Sequence, residues 1–63
     1  MKIKMYKVII GYRTYLLKHG AYSYFLVQAD NMQEATTKAY IKAGREYGWA
    51  LEWWIDDIGE IKK

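Results

Sequence analysis

Few residues in this sequence could carry out acid–base or nucleophilic chemistry. The chain has one histidine, His19, and no cysteine, which excludes a thiolate nucleophile, a thiolate metal site and a disulfide framework. Hydrolysis or group transfer requires a nucleophile with its base, a carboxylate pair or a metal cluster. Because His19 precedes Gly20 in a predicted turn, we interpret it as a loop residue and not as a catalyst.

Acidic side chains concentrate near the end of the sequence, at Asp56, Asp57 and Glu60. Neighbouring residues of a strand point to opposite faces, so these carboxylates are not expected to converge on one ion. We interpret them as a solvated acidic edge that discourages strand-to-strand aggregation. The glycines are scattered and fit no phosphate-binding spacing. The sequence therefore predicts a protein that is not an enzyme and has no metal site, no cofactor and no catalytic residue.

One helix, predicted over residues 30–48, positions the rest of the chain. Asn31 is a polar cap, and Glu34 follows it at the spacing of a capping box. Small residues recur every four positions and allow the helix to lie close to a sheet. They are Ala35, Ala39 and Ala43. Gly48 is expected to end the helix in the left-handed conformation.

The opposite side of the predicted helix is charged and should face water. Its charged residues are Glu34, Lys38, Lys42 and Arg45. Glu34 and Lys38 have the favourable order for an ion pair one turn apart. Ile41 lies among these charges without an obvious partner.

Alternating apolar and polar residues predict strands on both sides of this helix. The predicted strands cover residues 4–17, 21–30 and 49–58. A crossover through the helix is expected to place the third strand beside the first. The predicted fold class is α+β, a single β-β-α-β domain over residues 1–63, with a three-stranded antiparallel sheet in order 2-1-3 and one helix packed on one face.

The two faces of the predicted sheet differ in what covers them. The helix side of the first strand is expected to carry Tyr6, Val8, Ile10, Tyr12 and Leu16. The helix side of the third strand is expected to carry Trp49, Leu51, Trp53 and Ile55. His19 and Gly20 would form a two-residue hairpin turn, with positive φ at Gly20. This turn places Tyr12 opposite Val27, and a bulge near Gly11 would move the register by one residue.

The face without a helix is expected to be rich in rings and apolar side chains. Its predicted members are Met5, Ile9, Tyr15, Leu17, Tyr22, Tyr24, Leu26 and Trp54, with Lys7, Arg13, Glu52 and Asp56 among them. So much exposed apolar surface indicates a binding site, and Tyr, Trp and Arg dominate interface hot spots. The predicted partner-binding residues are Arg13, Tyr15, Tyr22, Tyr24, Leu26, Trp54 and Asp56. The alternative is that the 7 tyrosines and 3 tryptophans form the core, with their polar tips in solvent.

The net charge of +3 leaves two other binding hypotheses open. Residues 52–60 hold four of the 7 acids and none of the 10 bases, so the remainder of the chain is basic. A small nucleic-acid-binding protein is therefore the alternative function, with basic residues on phosphates and tyrosines stacked on bases. The phosphate contacts would be Lys4, Lys7, Arg13 and Lys18, and the stacking rings Tyr15, Tyr22 and Tyr24. Glu52 and Asp56 argue against it, and a homodimer through two uncovered faces is the third possibility.

Three segments of the chain each resemble a segment of one known protein family. They are residues 30–37 (DNMQEATT), residues 7–12 (KVIIGY) and residues 54–57 (WIDD). In this order they resemble the D-D-V-Q-x-A-T-T stretch, the K-V-V-F strand with its Gly-Trp pair, and the F-I-D-D segment of the phage antitoxin family of Dmd. The helix and the last segment are farther apart here, and the cysteine that Dmd has near its end is absent.

The resemblance implies a phage-encoded accessory or anti-defence protein that serves host takeover. Such a protein would inhibit a host or defence protein, for example a ribonuclease toxin of the RnlA/LsoA type, by stoichiometric binding and without catalysis. The expected location is the cytoplasm of a bacterial host cell. No apolar run in the sequence approaches the roughly 18 residues of a membrane span, so we expect no membrane contact.

Overall fold

The structure, a computed structural model, describes residues 3–16 and 18–62. Its elements in chain order are β1 (Lys4–Arg13), β2 (Ala21–Ala29), α1 (Met32–Tyr47) and β3 (Glu52–Glu60). The strands form one antiparallel sheet in the order β2-β1-β3, and α1 packs on one face of it. The predicted α+β fold class and strand order are confirmed.

Helix α1 begins as its sequence predicts. The Asn31 side-chain oxygen accepts a hydrogen bond from the Glu34 backbone N–H at 2.9 Å. The Glu34 carboxylate accepts a hydrogen bond from the Asp30 backbone N–H at 3.4 Å, one residue before the cap. Asn31 therefore satisfies one orphan donor of the first turn, and Glu34 holds the segment that enters the helix. The alanine stripe is completely buried at Ala35, Ala39 and Ala43. Because alanine projects only a methyl group, the helix axis can lie close to the sheet.

The end of α1 corrects one prediction. Gly48 has φ −62° and ψ −17°, a right-handed conformation, so the expectation of a left-handed residue there was wrong. Glycine has a different use at this position. A Cβ on Gly48 would lie 2.6 Å from the carbonyl oxygen of Gly44, so the helix terminates through a backbone approach that a side chain would obstruct.

The pairing of β1 with β2 differs from the predicted register. Tyr12 lies opposite Ala21 instead of Val27, a displacement of six residues, and Val27 lies opposite Tyr6. In the predicted register Val8 would have faced the helix cap, whereas here it pairs with Phe25 and is fully buried. Because side chains alternate with a period of two, an even displacement leaves each of them on its predicted face.

The connection between β1 and β2 is longer than a two-residue turn, because residues 14–16 and 18–20 belong to neither strand, and we call these residues the loop. Gly20 has the expected positive φ of 83°. Leu16, predicted to face the helix, is 94% exposed, because β1 ends at Arg13 and the chain leaves the sheet before reaching it. Leu17 lies outside the described residues.

Strand β3 contains a bulge at Asp56. Ile9 of β1 pairs with Asp57, and the next residue, Ile10, pairs with Ile55, which leaves Asp56 without an opposite residue. The irregularity therefore lies in the β1–β3 pairing, and the β1–β2 pairing is regular at Gly11, where a bulge would have moved the register. The extra residue puts both Ile55 and Ile58 on the helix side of the sheet, packed against the core.

The core lies between α1 and the sheet, and it is apolar throughout the described residues. Its buried members are Tyr6, Val8, Ile10, Phe25, Val27, Ala29, Ala35, Ala39 and Ala43, with Tyr47, Trp53, Ile55 and Ile58 packed against them. Trp49 and Leu51 precede β3 and are 66% and 50% exposed. Both were predicted to face the helix from the third strand, which begins later than expected.

Candidate functional site

The face of the sheet opposite α1 is uncovered, and we call it the open face. Strand alternation from the buried residues fixes its members. They are Met5, Lys7, Ile9, Gly11 and Arg13 of β1, Tyr22, Tyr24, Leu26 and Gln28 of β2, and Glu52, Trp54, Asp57 and Gly59 of β3. The open face therefore combines rings, branched apolar side chains and charges of both signs.

Trp54 and Tyr22 form the central row of the open face. Gly11 lies opposite Trp54 on one side and opposite Tyr22 on the other. A Cβ on Gly11 would overlap the indole atoms of Trp54, so the indole lies across β1 where that strand has no side chain. Tyr22 meets the indole edge-on, with ring centroids 6.3 Å apart and planes at 89°, the T-shaped arrangement that aromatic pairs favour.

The next row along the sheet is centred on Ile9. It lies opposite Tyr24 of β2 and Asp57 of β3. The Lys7 ammonium lies over the Tyr24 ring, 4.8 Å from its centroid, in a cation–π contact. Lys7 itself lies opposite Leu26. Tyr24 is 61% exposed and Leu26 44% exposed, so both present apolar area to solvent.

One end of the open face is closed by an ion pair. The Arg13 guanidinium contacts the Glu52 carboxylate at 2.9 Å, and both side chains are about half exposed. The two residues lie opposite each other in the β1–β3 pairing, so the contact is a cross-strand pair on one face. Arg13 is thereby held in place at the rim by its own chain.

Most of the predicted partner-binding residues lie together on the open face: Arg13, Tyr22, Tyr24, Leu26 and Trp54. Tyr15 does not. It follows the end of β1 and is 79% exposed in the loop. Asp56 is also displaced, because it is the bulged residue, and Asp57 takes the place opposite Ile9.

The sequence contains a signal that Asp57, and not Asp56, lies on the open face. Ile55 and Ile58 are three positions apart, a spacing that simple alternation cannot bring to one face of a strand. Two apolar residues at that spacing within a strand indicate a bulge between them. Recognising it would have moved Asp57, and not Asp56, to the open face.

The alternative in which the rings mainly form the core does not account for the open face. Tyr6 and Phe25 are buried, while Tyr22 and Tyr24 remain more than half exposed. A second ring cluster lies on the helix side, where Tyr47 and Trp49 contact Tyr12 with centroid distances of 5.1 and 5.7 Å. This cluster closes the end of the core, so rings serve packing on one side of the sheet and are left exposed on the other.

The described part of the chain was searched for a metal site and for a membrane-spanning helix. Within residues 3–16 and 18–62, no three histidine, aspartate or glutamate side chains are grouped so that they could hold a metal ion. The helix described there is neither long nor apolar enough to cross a membrane. His19 is exposed in the loop.

Comparisons of the chain with protein-family models, with curated proteins and with solved structures give no significant match. The resemblance to the phage antitoxin family of Dmd stays a prediction, as do the non-enzymatic character and the location in a host cytoplasm.

Proposed function

We propose that this chain is a non-enzymatic inhibitor that binds one protein partner stoichiometrically through its open face. The observation that carries the proposal is the exposure of Tyr22, Tyr24 and Leu26 beside Trp54 on a sheet face that has no cover. Contiguous apolar surface rimmed by charge is typical of protein interaction sites. Burying these side chains against a partner would supply the hydrophobic part of the binding free energy.

Contacts within the chain already hold side chains of the open face in place, which supports this proposal. The indole of Trp54 is fixed above Gly11 and in edge contact with Tyr22, and the Tyr24 ring is in contact with Lys7. Side chains that hold one conformation before binding lose less entropy on binding. A partner would therefore meet a largely prepared surface.

The charges of the open face favour a protein over a nucleic acid. Its cations, Lys7 and Arg13, are matched by its carboxylates, Glu52 and Asp57, and Arg13 is already paired with Glu52. Binding to a phosphate backbone depends on an excess of positive charge that releases counterions. A balanced, aromatic surface suits the mixed-sign surface of a protein partner better.

The resemblance to the phage antitoxin family suggests which partner to test first. We propose a phage-encoded inhibitor of a bacterial host or defence factor, with a ribonuclease toxin of the RnlA/LsoA type as the first candidate. The bound chain would inhibit its partner by blocking the partner's surface, and no group of the open face is proposed to react. The corresponding location is the cytoplasm of the bacterial host cell.

The experiment is a titration of purified toxin with the chain, followed by calorimetry and by RNA cleavage. We expect inhibition to be complete at one equivalent. Tyr24→Ala and Trp54→Ala should each weaken binding by about 2 kcal/mol, or roughly 30-fold in Kd. Tyr40→Ala is the matched control, because Tyr40 is an exposed tyrosine of α1, and Lys62→Ala is the charge control.

Equal and negligible effects of all four variants would remove the open face from the mechanism. Binding to single-stranded RNA that falls steeply with salt would instead support the nucleic-acid alternative. A molecular mass that rises with protein concentration, and falls on Trp54→Ala, would support the homodimer.

A further inference from the structure

The outer edge of β2 presents unpaired backbone groups. The Met5 carbonyl accepts a hydrogen bond from the Ile61 N–H, and the Arg13 carbonyl accepts one from the Leu51 N–H. Both donors flank β3, so the odd-numbered residues of β1 direct their backbone groups to β3. The even-numbered residues of β1 direct theirs to β2. By the observed register, the odd-numbered residues of β2 bond to β1. The N–H and C=O groups of Tyr22, Tyr24 and Leu26 therefore point away from the sheet.

Strand β2 itself lacks the features that usually prevent strand addition. Strand β2, AYSYFLVQA, contains no charged residue, no proline and no glycine, and its pairing is regular along its whole length. Natural sheets protect their edges with charges, prolines or bulges. The other edge of this sheet, β3, has both a bulge at Asp56 and four carboxylates, at Glu52, Asp56, Asp57 and Glu60. Only the β2 edge is left open to pairing.

A groove of about 410 Å³ runs between the β2 edge and α1. It is lined by Leu26, Val27, Gln28, Lys38, Ile41, Lys42, Arg45 and Glu46. At one end the Lys38 ammonium donates to the Gln28 carbonyl at 2.7 Å, which marks where an added strand would stop. Ile41, the apolar residue among the charges of α1, is 59% exposed within this groove.

The groove carries three cations, Lys38, Lys42 and Arg45, against the single carboxylate of Glu46. Lys38 pairs with Glu34 at 3.2 Å and Lys42 pairs with Glu46 at 3.5 Å. Among the described residues, Arg45 has no carboxylate partner. An acidic side chain entering the groove would therefore find an unpaired guanidinium next to the apolar surface of Ile41.

We propose that the β2 edge binds an extended, acidic segment of a partner protein by strand addition. The segment would pair its backbone with Tyr22, Tyr24 and Leu26, and every second side chain would enter the groove towards Ile41 and Arg45. Backbone pairing of this kind supplies affinity, and the alternate side chains supply specificity.

A second copy of the chain fits this edge less well than an acidic segment. Two β2 strands paired antiparallel, about a two-fold axis perpendicular to the sheet, would keep both helices on the same face of the combined sheet. The cation-rich grooves of the two copies would then lie against each other, and like charges in opposition are destabilising. The groove's excess of positive charge is complementary to carboxylates and not to itself.

This inference does not depend on the open face, because its contacts are the backbone of β2 and the groove side chains. The test uses the isotopically labelled protein and a synthetic ten-residue peptide that alternates valine with glutamate. We expect amide hydrogen exchange at Tyr22, Tyr24 and Leu26 to slow at least about tenfold at saturation. A peptide that alternates valine with lysine, and a glutamate peptide with a central proline, should give no protection.

The matched variants are Arg45→Glu and Lys62→Glu, which change the net charge equally. Arg45→Glu is expected to weaken peptide binding at least about fivefold, while Lys62→Glu leaves it unchanged. Failure of the open-face proposal would leave these results intact. Protection by the lysine peptide, no protection by the glutamate peptide, or protection that rises with protein concentration alone would overturn the inference, the last in favour of a second copy.

Discussion

The indole of Trp54 lies across Gly11, its direct partner in the β1–β3 pairing. The absence of a side chain at Gly11 allows the ring to cover the central strand and to reach the edge of Tyr22. One glycine thus determines how the largest side chain of the open face is presented. Its replacement tests both the packing and the proposed binding.

Gly11→Ala is predicted to lower the free energy of unfolding by about 1–3 kcal/mol, because the added methyl overlaps the indole and must displace it. In a Trp54→Ala background the same change should cost almost nothing, since the obstructing ring is gone. Urea unfolding of the two single variants and the double variant measures this coupling. Gly59→Ala is the control, because nothing lies within 4 Å of a Cβ there, and a cost equal to that of Gly11→Ala would contradict the prediction.

Gly48→Ala and Gly44→Ala are predicted to have opposite effects on stability. A Cβ on Gly48 lies 2.6 Å from the Gly44 carbonyl oxygen, whereas the nearest atom to one on Gly44 is Trp53 Cζ2 at 3.7 Å. Gly48→Ala should therefore destabilise by about 1–2 kcal/mol, and Gly44→Ala, inside the helix, should stabilise by roughly 0.5–1 kcal/mol. Thermal unfolding of both variants decides the matter, and changes of the same sign would argue against it.

Deletion of Asp56 is predicted to preserve the fold. This residue has no opposite partner in β1, so its removal brings the Ile9–Asp57 and Ile10–Ile55 pairs into regular succession. We expect a stability change within about 1 kcal/mol and core packing of Ile55 and Ile58 as before. Deletion of Gln28 from the regular strand β2 is the contrast, because a one-residue slip there turns core residues outward. Amide NMR spectra of the two deletion variants show whether each one is folded. Unfolding on deletion of Asp56 would show that the bulge itself is required.

The helix was the most predictable element of this fold. Its start depends on contacts within one turn, between Asn31 and Glu34, and its buried stripe follows from residues four positions apart. Such local interactions are present in the sequence itself. The division of β1 and β2 into two faces was also predictable, because alternation is a property of each strand by itself.

The register, the loop and the bulge depend on residues distant in the chain. Whether Val8 pairs with Phe25, and whether Asp57 or Asp56 faces outward, is decided when the helix closes over the sheet and all core residues must be buried at once. The end of α1 also depended on a backbone approach, between Gly48 and Gly44, that no local pattern indicated.

The sequence by itself therefore determined the fold class, the helix cap and the residues of β1 and β2 that the helix leaves uncovered, because these follow from short-range periodicity and capping. Only the tertiary structure decided how these residues are combined. It placed Trp54 over Gly11, moved Tyr15 and Asp56 off the open face, and left the β2 edge unpaired beside Arg45. The physical reason is that strand pairing and bulges satisfy the burial of the whole core, which no single segment specifies.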